Sequence, residues 1–191
     1  MNATIRNTIN ELEAFIATVD DAMNVPRAAG AFMHALILAT GAKRGVEIGT
    51  SYGYSGLWIA SALAENGGKL ITIDQERRKS EAARACFVAA GLAEAVELRT
   101  GSAAGVLADL DGPFDFVLSD ADKTNCIRYV ELVANKLTDR AVVLTDNTRT
   151  HPTELASFLH WIRDHRDFHS VEVPVGNGME LSIKRPQTSG E

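Results

Sequence analysis

The chain has only two cysteines among its 191 residues, Cys86 and Cys126, and neither a CxxC pair nor a cysteine–histidine spacing that would hold zinc. Both are read as small buried hydrophobes in a reducing compartment. No apolar run approaches the roughly 18 residues of a membrane span, so no membrane partner is expected. The opening stretch MNATIRNTINELEAF lacks an apolar core followed by a small-residue cleavage site. A signal peptide is therefore not expected, and the protein is read as cytoplasmic. Excess positive charge is missing as well: the formal net charge is −6 and the pI about 5.4. Displacing counterions from a nucleic acid takes a basic face, so a nucleic-acid partner is disfavoured unless a local basic patch supplies one. There are no repeats, low-complexity blocks or linkers.

What remains is an ordinary globular composition, 46% hydrophobic and 23% charged, at a length that suits one domain. Ile5, Ile9, Leu12, Ile16 and Val19 recur at alternating steps of four and three and predict an amphipathic helix, whose stripe could pack on its own domain or form a dimer contact. A second helix follows Pro26 and ends at Gly41. Short apolar runs then alternate with helical segments. Strands are predicted at Arg44–Ile48, Lys69–Ile73, Val96–Thr100, Phe114–Ser119 and Ala141–Thr145. Helices are predicted over GYSGLWIASALA, from about Glu76 to Ala90, around Ala103 to Leu110, from about Thr124 to Lys136, and from Pro152 to about Asp164. FHSVEVP and MELSIK close the chain as a hairpin across Gly176, Asn177 and Gly178. Repeated strand–helix units predict an α/β, doubly wound, mostly parallel sheet with an antiparallel last strand. Such sheets bind ligands beyond the carboxyl ends of their strands.

The strand ends carry the polar residues worth weighing. After the first comes Gly49-Thr-Ser-Tyr-Gly53, too widely spaced for the G-x-G-x-x-G turn of a dinucleotide site. A glycine there lets the backbone approach a ligand, the next helix offers free N–H groups, and Ser55 adds a hydroxyl, which together suit a carboxylate. A tight turn without a ligand is the alternative. Asp74, after the second strand, could accept both hydroxyls of a ribose or cap the following helix. Ser102 and Ala103 could line an adenine or simply start a helix. Asp120, Asp146 and Asn147, after the fourth and fifth strands, provide three oxygen ligands suited to Mg²⁺ or Ca²⁺. The two aspartates could equally be caps or salt-bridge partners of Lys123.

Taken in order, VEIGTSYGYS, ITID, GSA, DADK, DN and the closing VPVGNGMELSIKR resemble the cation-dependent O-methyltransferases of small molecules, the catechol and caffeoyl-CoA type, with their bacterial branch. The resemblance runs from about Val25 to Arg185. It implies a Rossmann-like methyltransferase fold with seven strands and helices on both faces. One domain would span residues 1–191, with N-terminal helices at 1–41 and a core at 42–185. It implies S-adenosylmethionine as cofactor, whose carboxylate, ribose and adenine match what the strand ends offer. Carried over by position, Glu47, Gly49, Thr50, Gly53 and Ser55 would surround the methionine part. Asp74 would take the ribose and Ser102 with Ala103 the adenine, with Val25, Asp120 and Asp122 also at cofactor positions. Asp120, Asp146 and Asn147 would bind the divalent cation and Lys123 would act as general base, its pKa depressed by a neighbouring cation and partial burial.

The expected activity is methylation of a hydroxyl on a small acceptor by a homodimer. Methylation of a modified tRNA base and a cofactor-binding protein without turnover are the alternatives. Two features depart from the family. The segment TRTHPTE after Asn147 is short where relatives carry a longer, aromatic insertion, and Cys126 stands where an aromatic is usual. His151 and Arg149 in that segment are read either as loop surface or as acceptor contacts.

Overall fold

The computed structural model describes residues 1–187. Helix α1 (Ala3–Ile16) begins where the Asn2 side chain accepts a hydrogen bond from the Ile5 N–H at 3.0 Å. Helix α2 (Arg27–Thr40) starts after Pro26 and stops at Gly41, whose φ of 67° only glycine adopts readily. Then follow β1 (Arg44–Ile48), α3 (Tyr54–Glu65), β2 (Lys69–Asp74), α4 (Arg77–Ala89), β3 (Val96–Thr100), α5 (Ala103–Asp109) and β4 (Phe114–Ser119). The chain closes with α6 (Cys126–Ala134), β5 (Leu137–Asp146), α7 (Pro152–Asp164), β6 (Phe168–Val173) and β7 (Met179–Lys184).

The seven strands form one sheet in the order β3-β2-β1-β4-β5-β7-β6. All pairings among β1 to β5 are parallel, and β7 enters antiparallel between β5 and β6. The expected doubly wound sheet with an antiparallel last strand is what forms. Alternation along each strand divides the core in two. Phe116, Leu118, Val142 and Leu144 pack toward α1–α4, while Val46, Ile48, Val117 and Val143 pack toward α5–α7. Helix α3 is sandwiched between the sheet and other helices, so all its residues from Tyr54 to Leu63 are buried.

Several boundaries differ from the sequence reading. Helix α1 ends at Ile16, leaving Val19 in a turn, and Ile5, Ile9 and Leu12 are buried in the chain's own core. This part of the stripe is used internally, as the first of its two readings expects. Strand β5 starts four residues earlier than predicted, because Leu137 pairs with Phe114 across a register shift that polar LTDR conceals. The helix expected from Thr124 opens instead as a 3₁₀ turn, Lys123–Asn125, before α6.

The strand order reverses between β1 and β4, which part to β2 and β5 on either side. Register aligns their ends, with Ile48 opposite Ser119 and Ser119 opposite Thr145. Gly49, Asp120 and Asp146 therefore leave the sheet on one rim.

Candidate active site

That rim borders a cavity of about 950 Å³. Its floor is the turn after β1. The Gly49 N–H donates to the Ile73 carbonyl at 2.9 Å, and the Asp120 N–H donates to the Ile48 carbonyl at 2.9 Å. Gly49 has φ 102°, and a Cβ there would overlap the Asp120 carbonyl, so the position admits only glycine. Asp74 fixes the rest of the turn: Oδ2 accepts from the Ser51 N–H at 2.7 Å and Oδ1 from the Glu76 N–H at 2.8 Å. The alternative reading of Asp74, as the cap of α4, is not what forms, since Glu76 holds the N-cap position. A carboxylate has four lone-pair sites, so Asp74 retains acceptor capacity toward the cavity it lines.

Ser102 does cap α5, accepting from the Gly105 N–H at 3.3 Å, with Ala103 at the first helical position, and both line the cavity. Asp122 lines it too while capping the 3₁₀ turn, where Oδ1 accepts from the Thr124 N–H at 3.0 Å.

Glu47, Thr50, Gly53, Ser55 and Val25 are placed differently from the others. None of them lines the cavity: Glu47 is sent toward α3 by β1 alternation, Thr50 and Gly53 belong to the turn itself, Ser55 is buried in α3, and Val25 is buried in the core just before α2. Glu47 is fully buried. Its Oε2 accepts from the Thr72 hydroxyl at 2.5 Å, Thr72 in turn sits 2.6 Å from the Thr50 hydroxyl, and its Oε1 has no hydrogen-bond partner. Burial pushes its carboxyl up to about 7.

Opposite, Lys123 Nζ donates to Asp120 Oδ1 at 2.8 Å, with both side chains nearly buried. The salt-bridge alternative thus holds for Asp120. It does not hold for Asp146, whose Oδ1 is shielded from solvent without any partner. Burial and then the Asp120 charge push the Asp146 carboxyl up to about 7, and burial raises Asp120 despite Lys123. Asn147, at φ 73°, donates from Nδ2 to the Thr150 hydroxyl at 3.2 Å, which orients its amide. Two crowded, poorly solvated carboxylates beside an amide oxygen fit a hard divalent cation, which would relieve their repulsion and use the unpartnered oxygen. Among the described residues no three histidine, cysteine, aspartate or glutamate side chains converge as a metal cage, so the set rests on two carboxylates and Asn147.

The remaining wall holds residues that sequence reasoning overlooked or undervalued. His151 is half-buried and lines the cavity rather than sitting on an exposed loop, whereas Arg149 turns away to Glu172 at 2.6 Å. Ser51, Asn24 and Asn177 also line it. Asn177 was legible only as a turn residue, because nothing local shows which turn meets which strand end.

The whole of residues 2–185 matches the family described as O-methyltransferase. Caffeoyl-CoA O-methyltransferase 1 of Zea mays is 34% identical over 176 residues, covering 80% of this chain and 68% of that protein. Catechol O-methyltransferase of Mycobacterium tuberculosis is 36% identical over 133 residues, covering 66% of this chain and 60% of that one. The chain thus spans roughly two thirds of the length of these relatives. Among solved structures, the O-methyltransferase from Bacillus cereus in complex with SAH superposes with a TM-score of 0.84 at 27% identity, over 94% of this chain and 91% of that one. The O-methyltransferase TomG from Streptomyces achromogenes, in complex with SAM and involved in tomaymycin synthesis, gives 0.82 at 28% identity, over 97% and 91%.

Proposed function

The chain belongs to the O-methyltransferase family, and from that premise we propose that it methylates a hydroxyl of a small acceptor using S-adenosylmethionine and a divalent cation. The observation that carries the metal part is the pair Asp120 and Asp146, buried together with Asp146 Oδ1 unpartnered beside Lys123. Asp120, Asp146 and Asn147 would hold the cation, which when bound lowers the pKa of an acceptor hydroxyl. S-adenosylmethionine supplies an already activated methyl group.

The chain's own residues do the rest. Gly49 and Ser51 let the backbone come close to the cofactor, and Asp74 offers carboxylate oxygens to ribose hydroxyls. Ser102 and Ala103 flank the adenine position. Lys123 would take the hydroxyl proton at Nζ; its place three residues after Asp120 keeps that nitrogen on the rim. Fixing oxygen and methyl group in one cavity supplies much of the rate advantage.

The tRNA reading receives no support from the surface near the cavity, where Arg77, Arg78 and Lys79 are paired with Glu81, Asp21 and Glu76. Incubation with methyl-labelled S-adenosylmethionine and either a panel of vicinal diols or deproteinised tRNA tests the choice. Label is expected in the diol fraction and lost in Lys123→Met with cofactor binding retained. Label in the tRNA fraction alone contradicts the proposal.

A further inference from the structure

Resting on this reading of the cavity as a hydroxyl-methylation site, we propose that the acceptor is a compact polar molecule recognised by hydrogen bonds from Asn24, His151 and Asn177 rather than by aromatic stacking. Besides Lys123 and Asn147 the cavity wall includes Thr150, His151 and Asn177, with Ala22, Met23 and Asn24 arriving from the segment before α2. The hairpin turn lies against that segment's end, since a Cβ at Gly176 would touch Pro26 and Ala29. Both asparagines therefore approach from the same side.

Aromatic rings are nearly missing from this wall. Tyr129 is the one phenylalanine, tyrosine or tryptophan that lines the cavity among the described residues, and it belongs to α6, within the electrostatic reach of Asp122 on the cofactor side. Trp58 is packed inside α3 over Gly30, and Trp161 stacks edge-on with His165 on α7. Among the described residues, no phenylalanine, tyrosine or tryptophan ring other than that of Tyr129 is offered to a planar acceptor.

The polar groups are held in place. The Thr148 N–H donates to the Gly178 carbonyl at 3.1 Å and the Arg149 N–H to the Asn177 carbonyl at 3.0 Å. The Arg149–Glu172 pair fastens the same segment to β6. The His151 N–H donates to the Asn147 carbonyl at 2.9 Å, and its Nδ1 lies 3.1 Å from the Thr150 hydroxyl, which receives the Asn147 amide. The short segment after Asn147 thus forms a fixed wall braced by the closing hairpin, not a lid.

One donor at this wall is left without a partner. Asn24 Nδ2 is shielded from solvent and has no acceptor, although its residue lines the cavity. A buried donor left unmade is costly, and an acceptor molecule offering a carbonyl or hydroxyl oxygen would satisfy it. An apolar acceptor would bury the same amides and imidazole without partners.

Two probes with the same reacting diol separate the possibilities: 3,4-dihydroxybenzamide and 4-tert-butylcatechol, each titrated calorimetrically into protein loaded with Mg²⁺ and S-adenosylhomocysteine. The benzamide is expected to bind at least about tenfold tighter. Asn24→Leu and Asn177→Leu should each narrow that preference to about threefold or less, with S-adenosylhomocysteine affinity unchanged as proof of folding, while Asn177→Ser retains most of it. Equal or tighter binding of 4-tert-butylcatechol, no binding of the benzamide, or a preference that survives both leucine changes overturns the inference. Failure of the methylation reading is separate: it appears as no label transferred from S-adenosylmethionine to either probe, whatever the binding preference.

Discussion

Replacing Asp146 by asparagine is expected to stabilise the metal-free protein at pH 8 while abolishing its response to metal. The carboxyl is 1% exposed, and burial followed by the Asp120 charge lifts it from 3.8 to about 7. An acid whose folded pKa is raised binds its proton more tightly when folded, so stability falls as pH rises from about 4 through about 7. At 1.36 kcal/mol per pKa unit, keeping Asp146 ionised at pH 8 costs on the order of 4 kcal/mol as a ceiling. Asparagine keeps the shape without the charge and should recover about 1–3 kcal/mol of this. For a chain of this size that is a rise in Tm of roughly 2–12 °C. Scanning calorimetry in EDTA reads it directly. The gain should shrink at pH 4.5, where the folded carboxyl carries its proton and most of the cost of keeping it ionised is not yet incurred. Excess Mg²⁺ should raise the Tm of the parent protein and leave Asp146→Asn unmoved. A variant no more stable than the parent at pH 8, or a gain independent of pH, would refute the reasoning that these carboxylates are held for a cation.

Two further outcomes follow from the geometry. Gly49→Ala forces a Cβ into the Asp120 carbonyl at φ 102°, so a loss of about 1–3 kcal/mol in denaturant titration is expected together with weakened S-adenosylhomocysteine binding; an unchanged midpoint contradicts it. Arg163 donates from Nε and Nη2 to Glu180 at 2.8 and 2.6 Å, and Glu180 is fully buried. Arg163→Ala should cost about 3 kcal/mol, and adding Glu180→Met should restore much of it in the same denaturation assay, because the penalty lies in the stranded carboxylate.

Strands β1, β4 and β7 could be read from sequence to the residue because each is a short apolar run bounded by glycine, proline or aspartate. The rim residues followed from strand order alone: once β1, β4 and β5 are adjacent, Gly49, Asp120 and Asp146 must meet. What periodicity could not give was depth. Alternation tells which face Glu47 takes, but only the tertiary turn over it makes the side chain wholly buried. Nor could it give long-range partners. Asn24 and Asn177 are 153 positions apart in the numbering and share a wall only because the hairpin folds back on Pro26 and Ala29. From sequence Asp146 could be read as a metal ligand, a cap or an ion-pair partner, whereas its unpartnered oxygen is a property of packing.

The cation-assisted transfer itself is tested most directly by methyl transfer from labelled S-adenosylmethionine to a vicinal diol, measured with Mg²⁺, with EDTA, and with EDTA followed by excess Mg²⁺. Loss of transfer in EDTA and its return with Mg²⁺, in the parent protein but not in Asp146→Asn, is the predicted result. Transfer that continues undiminished in EDTA would contradict it.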